Sequence, residues 1–292
     1  MTAIPETGPD VADVTVVMPA MNRAHLIGRA LESVAAQTVR PREVIVVDDA
    51  STDDTVAVAR EHGATVIELP VNGGSGPARN RGIEAATTEW IAFLDSDDAW
   101  HPDHLEKVLA PSAGHVLVAG AGSSTGGRLL GNAWRRDVEL TSIDLVAPGD
   151  MVCTSGTIVR KQALLDAGLF RSLRRAQDLD MWVRVLQQGS GLALADSTFT
   201  YHLHEQQAIN DTELMRECYT RIVEHCAEQS WFSAADVDRA FTKWRWDDLR
   251  AAQAGRDVGA VARHAGWFVR RPHTWGSLSK LLRGRRLSRT RG

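Results

Sequence analysis

Apolar and β-branched residues come in short unbroken runs early in the chain, and the stretches between the runs carry helical spacing. Val14-Thr15-Val16-Val17-Met18 ends at Pro19, and Glu43-Val44-Ile45-Val46-Val47 ends at Asp48-Asp49. Continuous runs of this kind suit strands of a parallel sheet covered on both faces. Between them Leu26, Ile27, Ala30, Leu31 and Val34 fall on one helical face. The alternation continues with a helix over 53–61, a strand over 64–69, a helix over 77–86 and a strand over 90–94. Pro77 suits a first helical turn, where its missing N–H is not needed. Strand and helix in alternation predict a Rossmann-like α/β domain whose loops gather at the carboxyl ends of the strands, where open sheets bind ligands.

After residue 110 the pattern weakens. It predicts a strand over 115–119, a glycine- and serine-rich loop over 120–131, a strand over 156–160 and a helix over 162–167. Residues 178–188 have a helical period, with Met181, Trp182, Val185 and Leu186 apolar and Gly189 placed to end the helix. From Thr212 onward Leu214, Cys218, Ile222 and Cys226 recur every four residues. Ser233 can cap a second helix, and Pro272 precedes a basic third one, so the C-terminal third reads as all helical. No internal repeat is visible.

With 292 residues, 43% of them hydrophobic, the chain can bury one large core or two smaller ones. It contains no run of about 18 apolar residues that would span a bilayer. Its start, Met1-Thr2-Ala3-Ile4-Pro5-Glu6, lacks the features of a secretory signal, and the chain reads as cytoplasmic. Cys153, Cys218 and Cys226 form no CxxC pair, which speaks against a disulfide framework or a zinc knuckle and for core thiols. Residues 258–292 carry nine Lys or Arg and no acid, so the other residues bear a net −13 against a chain total of −4. That acidic remainder argues against a protein that coats nucleic acid. The basic tail suits either a solvated helical face or contact with anionic lipid.

Three clusters carry candidate chemistry. Asp48-Asp49-Ala50-Ser51-Thr52-Asp53 stands where a buried strand gives way to a helix, so a carboxylate there can accept the imide N–H of a uracil or thymine ring. The same residues also suit simple capping of the next helix by Ser51 or Asp53. Asp95-Ser96-Asp97-Asp98 follows another apolar strand, and three carboxylates so close repel one another unless something positive joins them. A hard cation such as Mg2+ or Mn2+, held by one or two carboxylates and substrate phosphates, meets that need. A solvent-facing turn with Asp98 capping a helix is the plainer alternative. Asn72-Gly73-Gly74-Ser75-Gly76-Pro77-Ala78-Arg79-Asn80-Arg81 is a glycine-rich loop entering a helix with two arginines, a setting that favours phosphate. It fails as a dinucleotide fingerprint, because Arg79 stands where the third glycine belongs.

Four segments in order, Val-Thr-Val-Val-Met-Pro-Ala-Met-Asn (14–22), Val-Val-Asp-Asp-Ala-Ser-Thr-Asp (46–53), Gly-Pro-Ala-Arg-Asn-Arg-Gly (76–82) and Phe-Leu-Asp-Ser-Asp-Asp (93–98), resemble glycosyltransferase family 2, of the GT-A fold. The resemblance persists more weakly to about residue 207. It implies a metal at Asp97 with Asp95 also toward it, and places Asp95 near the donor ribose and sugar, beside Ser96. It further implies that Asp49 reads the uracil edge, that Pro19, Ala20 and Asn22 line base and ribose, that Gly74 belongs to the donor loop, and that Arg79 reaches the donor. Ala176-Gln177-Asp178-Leu179-Asp180-Met181-Trp182 is similar to the acceptor-side motif of the family, with Asp178 as general base and Gln177 in place of the usual glutamate. An N-cap role for Asp178 is compatible with that. Tyr201-His202-Leu203-His204 resembles the closing segment, with His204 toward metal or pyrophosphate and His202 where arginine is common.

The resemblance therefore implies an inverting, non-processive glycosyltransferase, since the Gln-x-x-Arg-Trp motif of the processive relatives is lacking. Its cofactor would be Mg2+ or Mn2+ and its donor a nucleotide diphosphate sugar, UDP-linked by preference and dTDP-linked as the alternative. The domain organisation expected is a leader over 1–12, a nucleotide-sugar-binding α/β half over 13–110, an acceptor-side half over 111–207 and a helical region with a basic tail over 208–292. A homodimer contact or a peripheral membrane contact is expected of those last helices, where Trp275, Leu278, Leu281 and Leu282 share a face. The competing functions are a nucleotidyltransferase on a related scaffold and a non-catalytic sugar-nucleotide-binding protein. The acceptor and the sugar are not legible.

Overall fold

The computed structural model of the chain describes residues 11–127, 129–130, 136–147, 152–203 and 212–279. Val14, Val16, Val17 and Met18 are all fully buried in the first strand, β1 (Val11–Ala20). Val17 joins one hydrophobic core, and Val14, Val16 and Met18 join another on the opposite face. Their strand lacks polar alternation because neither face meets water. The second strand, β2 (Arg40–Asp48), repeats the arrangement, with Ile45 and Val47 on one side and Val46 on the other.

The remaining strands are β3 (Thr65–Glu68), β4 (Trp90–Phe93), β5 (Ala99–Trp100), β6 (Leu117–Ser124), β7 (Leu129–Leu130), β8 (Val138–Leu140), β9 (Thr157–Arg160) and β10 (Gly191–Tyr201). They form one ten-stranded mixed sheet in the order β3-β2-β1-β4-β9-β6-β10-β5, with β7 added to β6 and β8 to β10. The first four strands run parallel, β9 is antiparallel to β4 and β6, and β10 is parallel to β6.

Helices cover both faces. On one side α1 (Ile27–Ala35) buries Ile27, Ala30, Leu31 and Val34, with α2 (Thr55–Glu61) and α4 (His104–Leu109) on the same core. On the other lie α3 (Ser75–Ala85), α5 (Ser142–Val146), α6 (Lys161–Asp166) and α7 (Gln177–Val185). Here α3 approaches β1 so closely that a Cβ on Gly82 would stand 2.5 Å from Val17 Cγ1. Phe93, Phe170 and Trp182 meet edge to face or tilted at centroid distances of 5.5–5.8 Å, a geometry that adds to their burial. The C-terminal helices are α8 (Thr212–Glu228), α9 (Ala234–Ala254) and α10 (Val258–Val269). Ile222, Val223 and Cys226 of α8 and Ala240 of α9 join the same core as α5 and α7. No helix among the described residues is long and apolar enough to cross a membrane.

The structure corrects several expectations. Residues 120–124, expected as the start of a loop, continue β6. Their glycines are there for packing, since a Cβ at Gly120 would lie 2.0 Å from Thr198 Oγ1 and one at Gly122 would lie 2.3 Å from Phe199 Cζ. β10 and α4 were not anticipated, and α10 falls in the C-terminal third expected to be helical. The helix expected over 178–188 starts at Gln177 and ends at Val185, and Gly189 owes its place to Val116, whose Cγ1 would sit 2.7 Å from an added Cβ. Ser233 caps α9 as expected, in a reciprocal pair with Asp236. Pro272 begins a short 3-10 turn, Pro272–Thr274, with helix over 275–279. The tail from Lys280 onward, including Leu281 and Leu282, and residues 1–10 lie outside the described residues.

Candidate active site

β1 pairs with β2 on one side and β4 on the other, so the strand order reverses at β1 and the carboxyl ends of these strands open a cleft. Its volume is about 600 Å3. Pro19 and Ala20 reach it from the end of β1, Asn22 from the following loop, Asp49 from the end of β2, and Gly74 and Arg79 from α3 and its approach. Asp95, Ser96 and Asp97 reach it from the turn after β4. These are nine of the ten donor-side positions expected from the sequence, the tenth being His204. Met21, Asn72 and Ser75, which lie within the segments singled out in the sequence, also line the cleft, as do Arg23 and His25, which were missed. The only sequence signal for Arg23 and His25 is their place in the loop that follows Asn22.

Side chains bonded to backbone staple the rim. Asn22 takes a left-handed backbone (φ 52°), its N–H donates to Ser51 Oγ at 2.8 Å, and its Oδ1 accepts from Thr52 N at 2.8 Å. Neither Ser51 nor Asp53 is the N-cap of α2, a place held by Asp54. Asp53 Oδ2 accepts from Ala24 N at 3.1 Å, which ties the loop after β2 to the loop after β1. Asp49, 4% exposed, accepts the amide of Gly73 through Oδ1 and that of Gly74 through Oδ2, both at 2.7 Å. Gly74 has φ +88°, a conformation that an L side chain would strain. Asp49 therefore anchors the glycine loop, in addition to whatever it does for a ligand.

The three carboxylates after β4 occupy different environments. Asp95 and Asp97 are half-buried at the cleft. Asp95 Oδ1 accepts from Arg79 Nη2 at 2.6 Å, and the Arg79 guanidinium lies 5.5 Å from the Phe170 ring centre. Arg79 is 6% exposed, and its Nε, though buried, has no hydrogen-bond partner among the described residues. Arg29 of α1 donates to the Asp97 carbonyl at 2.7 Å. Asp98 is 1% exposed and caps no helix, contrary to the plainer expectation for it. Its Oδ2 accepts from Ser155 Oγ at 2.5 Å and its Oδ1 from His202 N at 3.1 Å. Burial first, then the charge of Asp95, pushes its carboxyl up to about 8, with the charge of Asp97 contributing and the Ser155 bond opposing.

No group of three or more His, Cys, Asp or Glu side chains among the described residues is arranged to hold a metal by itself. The cleft instead offers Asp95 and Asp97 side by side on the turn after β4, with Asp49 already bonded to the glycine loop. That incomplete set of hard oxygens fits a Mg2+ or Mn2+ ion whose shell is finished by substrate phosphates, and not a cation caged by protein alone.

Asp178 lies toward the other half of the sheet. It is the second residue of α7, after Ala176 (φ 56°) as N-cap, and is therefore not itself the cap. Its Oδ2 accepts from Thr154 Oγ1 at 3.3 Å, in the 3-10 turn Thr154–Gly156 that precedes β9. Gln177 leans toward the glycine loop, where Ser75 Oγ donates to its Oε1 at 3.3 Å. The neighbouring Cys153 thiol shows how these groups converge. Burial, then the charges of Asp178, Asp98 and Asp95 in that order, pushes it up to about 12. Cys218 and Cys226 are buried core thiols as expected. Burial and the nearby Arg29 charge hold His202 below the ordinary imidazole range. His204, expected near the metal or pyrophosphate, lies outside the described residues.

A family model described as Glycosyl transferase family 2 matches residues 15–162, just over half of the chain. The chain is 28% identical over 251 residues to a Bacillus subtilis protein named as a teichuronic acid biosynthesis glycosyltransferase, TuaG, covering 80% of this chain and 92% of that one. It is 48% identical over 113 residues to the succinoglycan biosynthesis protein ExoO of Rhizobium meliloti, a stretch that is 37% of this chain and only 32% of ExoO. Among solved structures it resembles S. aureus TarS in complex with UDP-GlcNAc (TM-score 0.67, 20% identity, 92% of this chain and 80% of that one). It also resembles the mannosyltransferase PcManGT from Pyrobaculum calidifontis in complex with GDP-Man and Mn2+ (TM-score 0.58, 18% identity, 92% and 87%). The mixed sheet, the cleft at its switch point and the family match together make this chain a glycosyltransferase of family 2 with the GT-A fold.

Proposed function

We propose that the chain moves a sugar from a nucleotide diphosphate donor to an acceptor hydroxyl with inversion at the anomeric carbon, with Mg2+ or Mn2+ as cofactor and the cytoplasm as its setting. The observation that carries this reading is that nine positions, scattered over 79 residues of sequence from Pro19 to Asp97, border one cleft. The UDP-GlcNAc complex of TarS favours a UDP-sugar over a dTDP-sugar, and the Mn2+ complex of PcManGT supports the cation. Asp97 would hold the cation with Asp95 beside it.

The cation, when bound, supplies a Lewis acid for the leaving diphosphate. Arg79 does related work from the protein side. Its guanidinium is buried and held between Asp95 and the Phe170 ring, so it meets the departing charge without reorganising. Asp178 takes the acceptor's proton as the acceptor oxygen bonds to the anomeric carbon and the bond from that carbon to the diphosphate breaks. An aspartate is a weak base for an alcohol, so this proton moves late and positioning provides much of the rate. Thr154 holds Oδ2 of Asp178 at 3.3 Å and the Leu179 N–H holds Oδ1 at 2.9 Å, so the direction of the carboxylate is fixed from both sides. No second carboxylate is assigned as nucleophile, and direct displacement inverts the centre.

The test is calorimetry of UDP binding with and without Mn2+. The wild-type chain should bind UDP more tightly with Mn2+, and Asp97→Ala should lose that metal-dependent part. Equal binding by both proteins in the presence of Mn2+ would remove Asp97 from the site.

A further inference from the structure

The third carboxylate of the acidic turn differs from the other two in where its oxygens go. Asp95 and Asp97 stand at the cleft, whereas Asp98 is 1% exposed and spends both oxygens inside the protein. Its first partner is Ser155, itself 2% exposed, in the turn before β9, 57 residues away. Its second is the backbone N–H of His202, at the end of β10 and 104 residues away. Ser155 carries the connection back, since its Oγ accepts the Asp95 amide at 3.2 Å while its hydroxyl proton points to Asp98. The same turn is pinned again through the Ser155 carbonyl, which accepts from Trp100 Nε1 at 2.5 Å. One residue earlier in that turn, Thr154 holds Asp178.

We infer that Asp98 and Ser155 form a positioning pair, which sets the acidic turn of the donor site against the turn that orients Asp178 and against the end of β10. A lone buried carboxyl costs free energy unless its hydrogen bonds are made. Here those bonds join three chain segments that no single element connects. On this view only two of the three carboxylates face a cation, and the third is internal bracing that fixes their distance from the general base. A displacement of about 1 Å at such a point is enough to lower turnover by about a hundredfold. The assignment of Asp178 as the base is taken from the proposed function. The bracing role predicts that a neutral side chain of the same shape suffices at position 98, because Asn can accept from His202 N–H and donate to Ser155 Oγ.

The experiment compares Asp98→Asn, Asp98→Ala and Ser155→Ala in the full chain. It reads kcat and KM for release of UDP from UDP-sugars, UDP affinity with Mn2+, and amide hydrogen exchange over residues 152–156 and 176–180. Asp98→Ala should lower kcat by about tenfold to a hundredfold while KM and UDP affinity move less than about threefold. It should also speed exchange in both segments, and Asp98→Asn should restore kcat to within about threefold of wild type. The inference is overturned if Asp98→Ala keeps its kcat, if Asp98→Asn falls as far as Asp98→Ala, or if exchange in the two segments is unchanged in Asp98→Ala. A wild-type chain that binds no UDP and turns over no UDP-sugar would sink the proposed function instead, and the exchange measurement still decides on the bracing.

Discussion

Asp180→Asn strikes a buried ion pair two residues from the candidate base. Asp180 and Arg184 are 4% and 3% exposed, one helical turn apart in α7, and Arg184 reaches Asp180 Oδ2 through Nη2 at 2.6 Å and Nε at 3.0 Å. The rest of the guanidinium donates to the carbonyls of Ala167 and, at 2.8 Å, Leu169. Burial draws the Arg184 pKa down, and the hydrogen bond and charge of Asp180 oppose that. Removing one charge leaves the other buried and uncompensated, at a cost of about 3–5 kcal/mol. The amide oxygen of Asn still accepts one bond, so the lower end, about 3 kcal/mol, applies to Asn. At about 2–4 °C per kcal/mol for a chain of this size, Tm should fall by about 6–12 °C. Urea titration and a thermal scan of the purified variant provide the measurement. Asp180→Ala, Arg184→Ala and the double variant complete a cycle in which the coupling should reach about 2–3 kcal/mol. A loss under about 1 kcal/mol in Asp180→Asn, or a coupling near zero, would show that the pair does not hold the 167–169 loop as described.

Two further outcomes follow from the site and the core. Asp178→Asn should keep UDP binding and lower transfer, or donor hydrolysis in its place, by at least about a hundredfold, and near-normal turnover would remove it from the mechanism. His104 is fully buried, stacks on Trp100 at 4.3 Å, and is pulled by burial from an ordinary value of 6.5 to about 3. As pH falls below 6.5 the unfolded chain takes up a proton that the folded one refuses. Its contribution to stability is therefore present above that pH and is lost toward pH 3, at up to about 1.4 kcal/mol per pH unit. Denaturation at pH 7 and pH 5 should show a shallower pH slope in His104→Phe than in wild type, and identical slopes would contradict this account.

The donor half was readable because its signals are local. Runs such as 43–47 are buried on both faces, so hydrophobicity alone marks them, and the topology then brings their carboxyl ends together. Pro19, Asp49 and Asp95 meet for that reason, although no pairwise signal links them. The second half depends on contacts far apart in sequence. Gly120 and Gly122 look like loop residues until Thr198 and Phe199 are seen to occupy the space their side chains would need. β10 itself is disguised by its small and polar residues and by the register shifts between Ala193 and Phe199. Asp98 was grouped with Asp95 and Asp97, since burial by Ser155 and the end of β10 leaves no trace in a run of acids.

The stapled rim of the cleft bears on how tightly a nucleotide can be held. The loops after β1, β2 and β3 are already tied to one another through Asn22, Asp53 and Asp49. An arriving ligand meets a mould that has set, and little of its contact energy is diverted into freezing mobile chain. Affinity for the nucleotide portion should then vary little with temperature-dependent loop order.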